Sequence, residues 1–371
     1  MHALHPDYAA ALDREDSLRS FRDEFHLPVI NGRPTLYFTG NSLGLQPKAA
    51  KTYIEEELED WKNWGVEGHF YAKRPWMPYH EQFSQSLANV VVALPEEVVV
   101  MGSLTANLHL LMVSFFRPEG KRKKILCEAK AFPSDQYALA SQLRFHGLDP
   151  VNDLIEVGPR EGQHHIATED FEAAIDAHGD EIALMMIGGV NYYTGQVMEM
   201  ERLTAYAKSK GITVGWDLAH GAGNIDLELH RWGVDFAAWC HYKYLNSGPG
   251  ATAGYFVHER HHGLVDIPRF EGWWGHEKET RFAMPPQFVP IPTAEAWQLS
   301  NVPVFSMAPL RASLDLFDRA GMPALRAKSQ QLTHYLQEVL EAVAAEAQSD
   351  LEIITPDSRG AQISVLAHGY G

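Results

Sequence analysis

Two side chains twenty-six positions apart, Asp217 and Lys243, have the chemistry to work a pyridine-ring cofactor together. Asp217 closes Val214-Gly215-Trp216-Asp217 and precedes Leu218-Ala219-His220-Gly221, an acid after a short apolar β-like run. At the carboxyl end of a parallel strand an acid lies where open α/β sheets bind ligands. A carboxylate there keeps a pyridine nitrogen protonated, which makes the ring an electron sink. The alternative is that Asp217 only caps the turn that follows it. Lys243 lies in Trp239-Cys240-His241-Tyr242-Lys243-Tyr244-Leu245-Asn246, followed by the small stretch Ser247-Gly248-Pro249-Gly250. A lysine that condenses with an aldehyde must first give up its proton, and an aromatic, water-poor setting favours the neutral amine. Alone, a lysine among tyrosines reads as a surface residue with a buried stem. The pairing with Asp217 favours the cofactor.

Two further stretches could hold the rest of such a group. Gly102-Ser103-Leu104-Thr105-Ala106-Asn107 reads as a strand exit that opens a helix, whose free backbone N–H groups suit a phosphate. Ser103 or Thr105 would cap that helix in any case. Phe132-Pro133-Ser134-Asp135 follows an apolar run and precedes another helix, so Phe132 could stack on a planar ring. The plainer reading is a helix start with proline in its first turn. Each is ambiguous alone, but their order along one sheet is that of a single site.

The elements that must position these residues come from hydrophobic periodicity. β-like runs at residues 98–101, 124–127, 154–157, 182–187 and 212–214 alternate with helical windows at 107–116, 134–145, 168–178 and 200–210. Strands alternating with helices predict a mainly parallel sheet and an α/β fold. Gly147, Gly179 and Gly211 are expected in the left-handed position that closes a helix. Ahead of this region the pattern predicts a helix over 8–25, a short strand at 36–38 and a helix over 48–64. After Pro303 it predicts helix from about 310 to 347. The expected division is an N-terminal segment 1–65 shared with a smaller domain, a large domain 66–299, and the start of a C-terminal domain at 300–371.

Composition narrows the function classes. The 371 residues carry 31 basic against 48 acidic side chains, a formal charge of −17. That argues against a nucleic-acid or anionic-membrane partner. No run of about 18 apolar residues is present, so no transmembrane helix is expected. Two cysteines, Cys127 and Cys240, form no disulfide framework, and residues 1–25 carry charges throughout, with no apolar signal centre. A cytoplasmic location is expected. Histidine is plentiful, at 19 residues, and a metal-dependent hydrolase is the rival of a different class. The adjacent pairs His164-His165 and His261-His262 suit one metal poorly, however, and no HExxH pattern occurs. No metal site is expected.

A series of motifs then runs in order: GNSLGLQPK (40–48), KRPW (73–76), LTANLHLLM (104–112), EAKAFPSDQYA (128–138), YYTGQ (192–196), DLAHGAGN (217–224), WGVDFAAWCHYKYLNSGPG (232–250), GWWGHE (272–277) and LSNVPVFS (299–306). In these the chain resembles the kynureninase family, within the aspartate-aminotransferase-like fold type I of pyridoxal-phosphate enzymes. The resemblance implies a large domain with a mainly parallel seven-stranded sheet, a smaller α+β domain, and pyridoxal 5'-phosphate on Lys243. It places Leu104 and Thr105 at the phosphate, Phe132 on the ring with Pro133, Ser134 and Asp135 beside it, Asp217 at the ring nitrogen with His220 adjacent, and Tyr242 at the phosphate and in proton transfer. Trp273 and Asn301 would reach the cofactor from a neighbouring subunit, which makes a homodimer part of the site. His69 and Asn301 match positions on the substrate's aryl side, with Ser42 and Ser300 nearby, a set like that of enzymes favouring 3-hydroxykynurenine.

The resemblance also implies the reaction: hydrolytic cleavage between Cβ and Cγ of a kynurenine, in tryptophan catabolism and NAD biosynthesis. Two departures stand out. Gly188 lies where some relatives carry a serine, and the family's arginine for the substrate carboxylate has no counterpart up to Gly371, so a further segment is expected. The nearest rivals are a cysteine desulfurase or an aminotransferase, which would share Asp217 and Lys243 but lack GNSLGLQPK and GWWGHE. A desulfurase also needs a mobile cysteine, and Cys240 sits in a strand-like run.

Overall fold

The computed structural model describes residues 3–369. Its centre is a seven-stranded sheet made of β3 (Val98–Val100), β4 (Lys124–Glu128), β5 (Leu154–Val157), β6 (Ile182–Gly188), β7 (Thr213–Asp217), β8 (Phe236–Trp239) and β9 (Gly254–Val257). They lie side by side in the order β3-β9-β8-β7-β6-β4-β5. All neighbouring pairs are parallel except those made by β9, which is antiparallel to both β3 and β8.

Side chains alternate between the two faces of a strand, and here both faces are covered. Leu126, Met185, Trp216 and Trp239 enter one apolar layer. Ile125, Cys127, Leu184, Met186 and Phe236 enter the other. This double burial explains why the inner strands read as largely apolar runs, while edge strand β5 keeps Glu156 exposed. It also leaves the strand ends as the natural place for polar chemistry. β4, β6 and β7 end at Glu128, Gly188 and Asp217, and Lys243 follows β8 by four residues, all at the same edge of the sheet.

The expected helices form at Leu104–Phe115, Pro133–Phe145, Thr168–His178 and Met200–Ser209. Gly147 and Gly211 have φ of 72° and 70°, as helix-closing glycines should. Gly179 does not: its φ is −54°, because the chain leaves the helix through a tight turn in which Glu181 N–H donates to His178 O.

Other expectations also need correction. The helix over 8–25 is two pieces, Pro6–Glu15 and a 3-10 turn at Arg19–Glu24, parted where Asp16 accepts from Leu18 N–H. No strand forms at 36–38, where Leu36 and Phe38 are 86% and 77% exposed and Tyr37 hydroxyl donates to Leu43 O in a local loop. The N-terminal pairing is instead β1 (Val29–Ile30) with β2 (Arg33–Pro34), turned by Asn31 and Gly32 at positive φ. The helix expected over 310–347 starts earlier and breaks at Gly321, giving Val304–Ala320 and Met322–Ala347. Helix Val304–Ala320 packs on helix Ala50–Trp64. The last pairing is β10 (Leu351–Ile353) with β11 (Val365–Ala367). No helix among the described residues is long and apolar enough to cross a membrane.

Candidate active site

The turn before helix Leu104–Phe115 is built by Gly102 and Asn107. Gly102 has φ +61°, and a Cβ on it would stand 2.5 Å from the Asn107 side chain, which itself donates to Met101 O at 2.7 Å. Ser103, at the helix start, makes no side-chain capping bond, so the first N–H groups of the helix stay available. Across the edge of the sheet, Phe132 and the proline-opened helix Pro133–Phe145 follow β4. Asp217 ends β7, and the loop after β8 delivers Tyr242 and Lys243. The segment carrying Ser42 is held against that loop by Gly44, whose N–H donates to Tyr242 O at 2.8 Å. A Cβ on Gly44 would stand 2.4 Å from Lys243 O, so only glycine permits this approach.

These elements enclose a cavity of about 430 Å³. Leu104, Thr105, Phe132, Ser134, Asp135, Asp217, His220, Tyr242, Lys243 and Ser42 all line it. Lys243 Nζ lies 3.0 Å from His220 Nε2, 5.9 Å from the centre of the Phe132 ring and 6.0 Å from that of Tyr242. Pro133 opens its helix without lining the cavity.

His69, Trp273, Ser300 and Asn301 are not among the lining residues of this chain's cavity. His69 packs edge-on against Trp76, with its Nδ1 2.9 Å from Val66 O. Trp273 donates to Arg281 O at 3.2 Å and is 40% exposed, while Ser300 and Asn301 are exposed.

Electrostatics give each polar group a state. Burial, helped by the ammonium of Lys243, pushes His220 down to about 3, so its ring is neutral. With Nε2 turned to Lys243, the proton sits on Nδ1, a buried atom with no partner. Burial and then neighbouring Cys240 push Tyr242 up to about 12, which keeps its phenolic proton in place. Asp217 is fully enclosed, accepts from Ala219 N–H at 2.5 Å and is hydrogen-bonded to Asp135. Burial raises Asp217, while Asp135, Ala219 N–H and Lys243 oppose the rise. Asp135 is raised further, by burial and by the charge of Asp217, so the shared proton belongs to Asp135.

The residues fit a phosphorylated pyridine aldehyde. A lysine, an exposed aromatic face, a buried acid, an orphaned ring N–H and a free helix start converge on one cavity. Burial pushes the Cys240 thiol up to about 11, which leaves it protonated and unlike a desulfurase nucleophile. Five lining residues were given no role by the sequence reading: Asn41, Glu128, Val190, Tyr192 and Ala219. Tyr192 meets Phe132 edge-on at 5.2 Å. For Glu128 the available signal was its place at the end of the β4 run, directly before the stretch that supplies Phe132.

Fold and site together define a pyridoxal-phosphate enzyme of fold type I, and residues 36–366 match the aminotransferase class-V family. The chain is 56% identical to a kynureninase of Christiangramia forsetii over 368 residues, covering 98% of this chain and 87% of that one. It is 55% identical to a kynureninase of Flavobacterium johnsoniae with the same coverages, and 56% identical to that of Myxococcus xanthus over 98% of this chain and 85% of the relative. The chain belongs to the kynureninase family. Solved structures with the same fold include a cysteine desulfurase of Thermococcus onnurineus, with TM-score 0.71, 17% identity, 100% of this chain and 84% of that one covered. Another is a cysteine desulfurase of Escherichia coli, with TM-score 0.74, 14% identity, 95% and 83% covered.

Proposed function

We propose that the chain hydrolyses the Cβ–Cγ bond of L-kynurenine or 3-hydroxy-L-kynurenine, giving L-alanine and anthranilate or 3-hydroxyanthranilate. The reading places it in the cytoplasm, in tryptophan catabolism that feeds NAD biosynthesis. The observation that carries it is the convergence of Lys243, Asp217, Phe132 and Tyr242 on one cavity in a chain of this family.

Lys243 would hold the cofactor, with Phe132 against its ring, Asp217 at its nitrogen, and Leu104 and Thr105 at its phosphate. When bound, the protonated pyridine ring accepts the electron pair left at the substrate's α-carbon or β-carbon. The chain's own groups then handle the protons. Lys243, released as a free amine, removes the proton from Cα, with His220 keeping its nitrogen in place. Asp217 holds the ring nitrogen protonated throughout. Water adds to the γ-carbonyl, and the bond to Cβ breaks as the acyl carbon leaves as a carboxylate. Tyr242, protonated at neutral pH, supplies the proton that Cβ then needs.

The substrate's aryl side would be read by Ser42 of this chain together with His69, Ser300 and Asn301. Those last residues and Trp273 lie outside the cavity of their own chain, which supports a homodimer whose partner presents Trp273 and Asn301. Exposed Leu36, Phe38 and Tyr71 give such an interface apolar surface. The domain division at about residues 65 and 299 belongs to the same reading.

The test is to incubate the cofactor-loaded protein with each substrate and measure alanine and the aromatic acid. Equimolar release supports the reading, with a higher kcat/KM expected for the 3-hydroxy form. A keto-acid product without ring-side cleavage refutes it.

A further inference from the structure

Glu128 has no part in the roles above, yet it lines the cavity and its side chain is buried. Both its carboxyl oxygens lie 3.2 Å from Gly188 N, the last residue of β6, which pairs in register with Asp217. A Cβ on Gly188 would stand 2.9 Å from Glu128 Oε1, so Glu128 fills the space that residue 188 leaves open. Beyond it come Asp217 and then Asp135, three carboxyl groups at one edge of the sheet. Among the residues lining the cavity Lys243 is the one cation, and His220 is neutral. Three enclosed carboxylates cannot all be ionised against a single ammonium, so protons must remain on the cluster.

We propose that Glu128 is a positioning residue for the cofactor's ring: it holds a proton beside Asp217 in the cofactor-free protein and releases it to solvent when the ring's positive charge arrives. This rests on Asp217 as the partner of the ring nitrogen. The reaction is Glu128–COOH giving Glu128–COO⁻ and a solvent proton, leaving two carboxylates, Asp217 and Glu128, facing the cationic ring and Lys243.

Burial pushes Glu128 up to about 7, its own N–H and that of Gly188 oppose the rise, and Asp217 adds to it. Asp217 acts on it from β7, and Asp135 is held protonated on the helix after β4, while Cys127, the adjacent residue on the strand, belongs to the opposite face.

Glu128→Gln keeps an acceptor for Gly188 N–H and removes the titration. Calorimetry of pyridoxal-phosphate binding at pH 7, in two buffers of different protonation enthalpy, counts the protons released. Wild type should release more than Glu128→Gln, by about half a proton at a pH near the group's midpoint; any release from Lys243 is common to both. The cofactor-free proteins should differ as well. A carboxyl raised on folding contributes stability that is complete below its unfolded value and is lost as pH rises to about 7. Wild type should therefore lose stability relative to Glu128→Gln between pH 4.5 and 7.

Infrared difference spectra of the wild type with ¹³C-labelled glutamate need no variant, and should show a protonated glutamic band disappear on binding. Equal proton counts with parallel stability curves, or no loss of that band, overturn the proposal. Failure of the underlying reading looks different: Asp217→Asn would leave the bound cofactor's visible spectrum unchanged.

Discussion

Lys243 and His220, 3.0 Å apart, share one constraint: the amine must lose a proton while the imidazole must not gain one. His220 meets it by burial, and its buried Nδ1 has no hydrogen-bond partner in the protein. Asp217 is different, since its enclosure works against the charge it needs, and only Ala219 N–H, Asp135 and Lys243 support that charge. Asp217→Asn should lower kcat by about 10²–10³-fold, the scale on which one preorganised electrostatic partner counts, and should alter the bound cofactor's absorbance. Steady-state rates beside a visible scan check this. Tyr242→Phe should instead keep the spectrum and lose about 10²-fold in kcat, the lower range for a general acid. A parallel loss of cofactor in Tyr242→Phe would assign the hydroxyl to binding.

At the scale of elements, the loop after β8 is positioned from both ends. Before Lys243, His241 is fully buried, accepts from Trp239 Nε1–H at 2.9 Å and has its Nδ1 2.6 Å from Thr252 O. A second ring proton would set N–H against N–H, and burial pushes the group down to about 4. The unfolded chain takes up that proton near pH 6.5 and the folded chain does not, so stability is lost as pH falls from there towards 4. The loss amounts to about 3 kcal/mol. Denaturant titrations at pH 7 and 4.5 should show a smaller acid loss in His241→Gln than in wild type.

On the other side Gly44 lets the segment of Ser42 lie on the loop. Gly44→Ala should leave the fold intact and reduce kcat/KM by up to about 100-fold, as a displacement of an ångström at a positioning segment can. Unchanged kinetics would mean the segment does not shape the site.

How far this was legible in the sequence follows from what each signal encodes. The inner parallel strands are buried on both faces, so 182–187 appears as an apolar run one residue short of its strand, while 154–157 matches the bounds of edge strand β5 although Glu156 is exposed. Asp217 and Lys243 were legible because each ends or follows such a run. The run at 36–38 is apolar yet unpaired, because no strand edge lies beside it, and periodicity carries no information about partners. Gly321 and Gly179 mislead in opposite ways: one breaks a helix inside a continuous pattern, the other closes a helix without a left-handed turn. Glu128 was hidden for a deeper reason. Its neighbours Gly188 and Asp217 become neighbours only through the strand order β4-β6-β7.

For the whole molecule, the distribution of residues over the surface is the main statement. The cavity gathers the cofactor half of the site, while Trp273, Asn301 and His69 stand elsewhere on the chain. A homodimer with shared sites makes a direct prediction: Lys243→Ala and Trp273→Ala chains, each inactive alone, should recover about a quarter of wild-type activity when mixed and allowed to exchange, because one site in each hybrid is intact. No recovery, with exchange verified, would place Trp273 in its own chain's site.

Lys243 is the residue proposed to carry the cofactor. Borohydride reduction of the loaded protein, followed by digestion and mass spectrometry, reads that link directly. The phosphopyridoxyl mass should fall on the peptide containing Lys243 and vanish in Lys243→Ala. The same mass on any other lysine, or an unlabelled Lys243 in active protein, would contradict it.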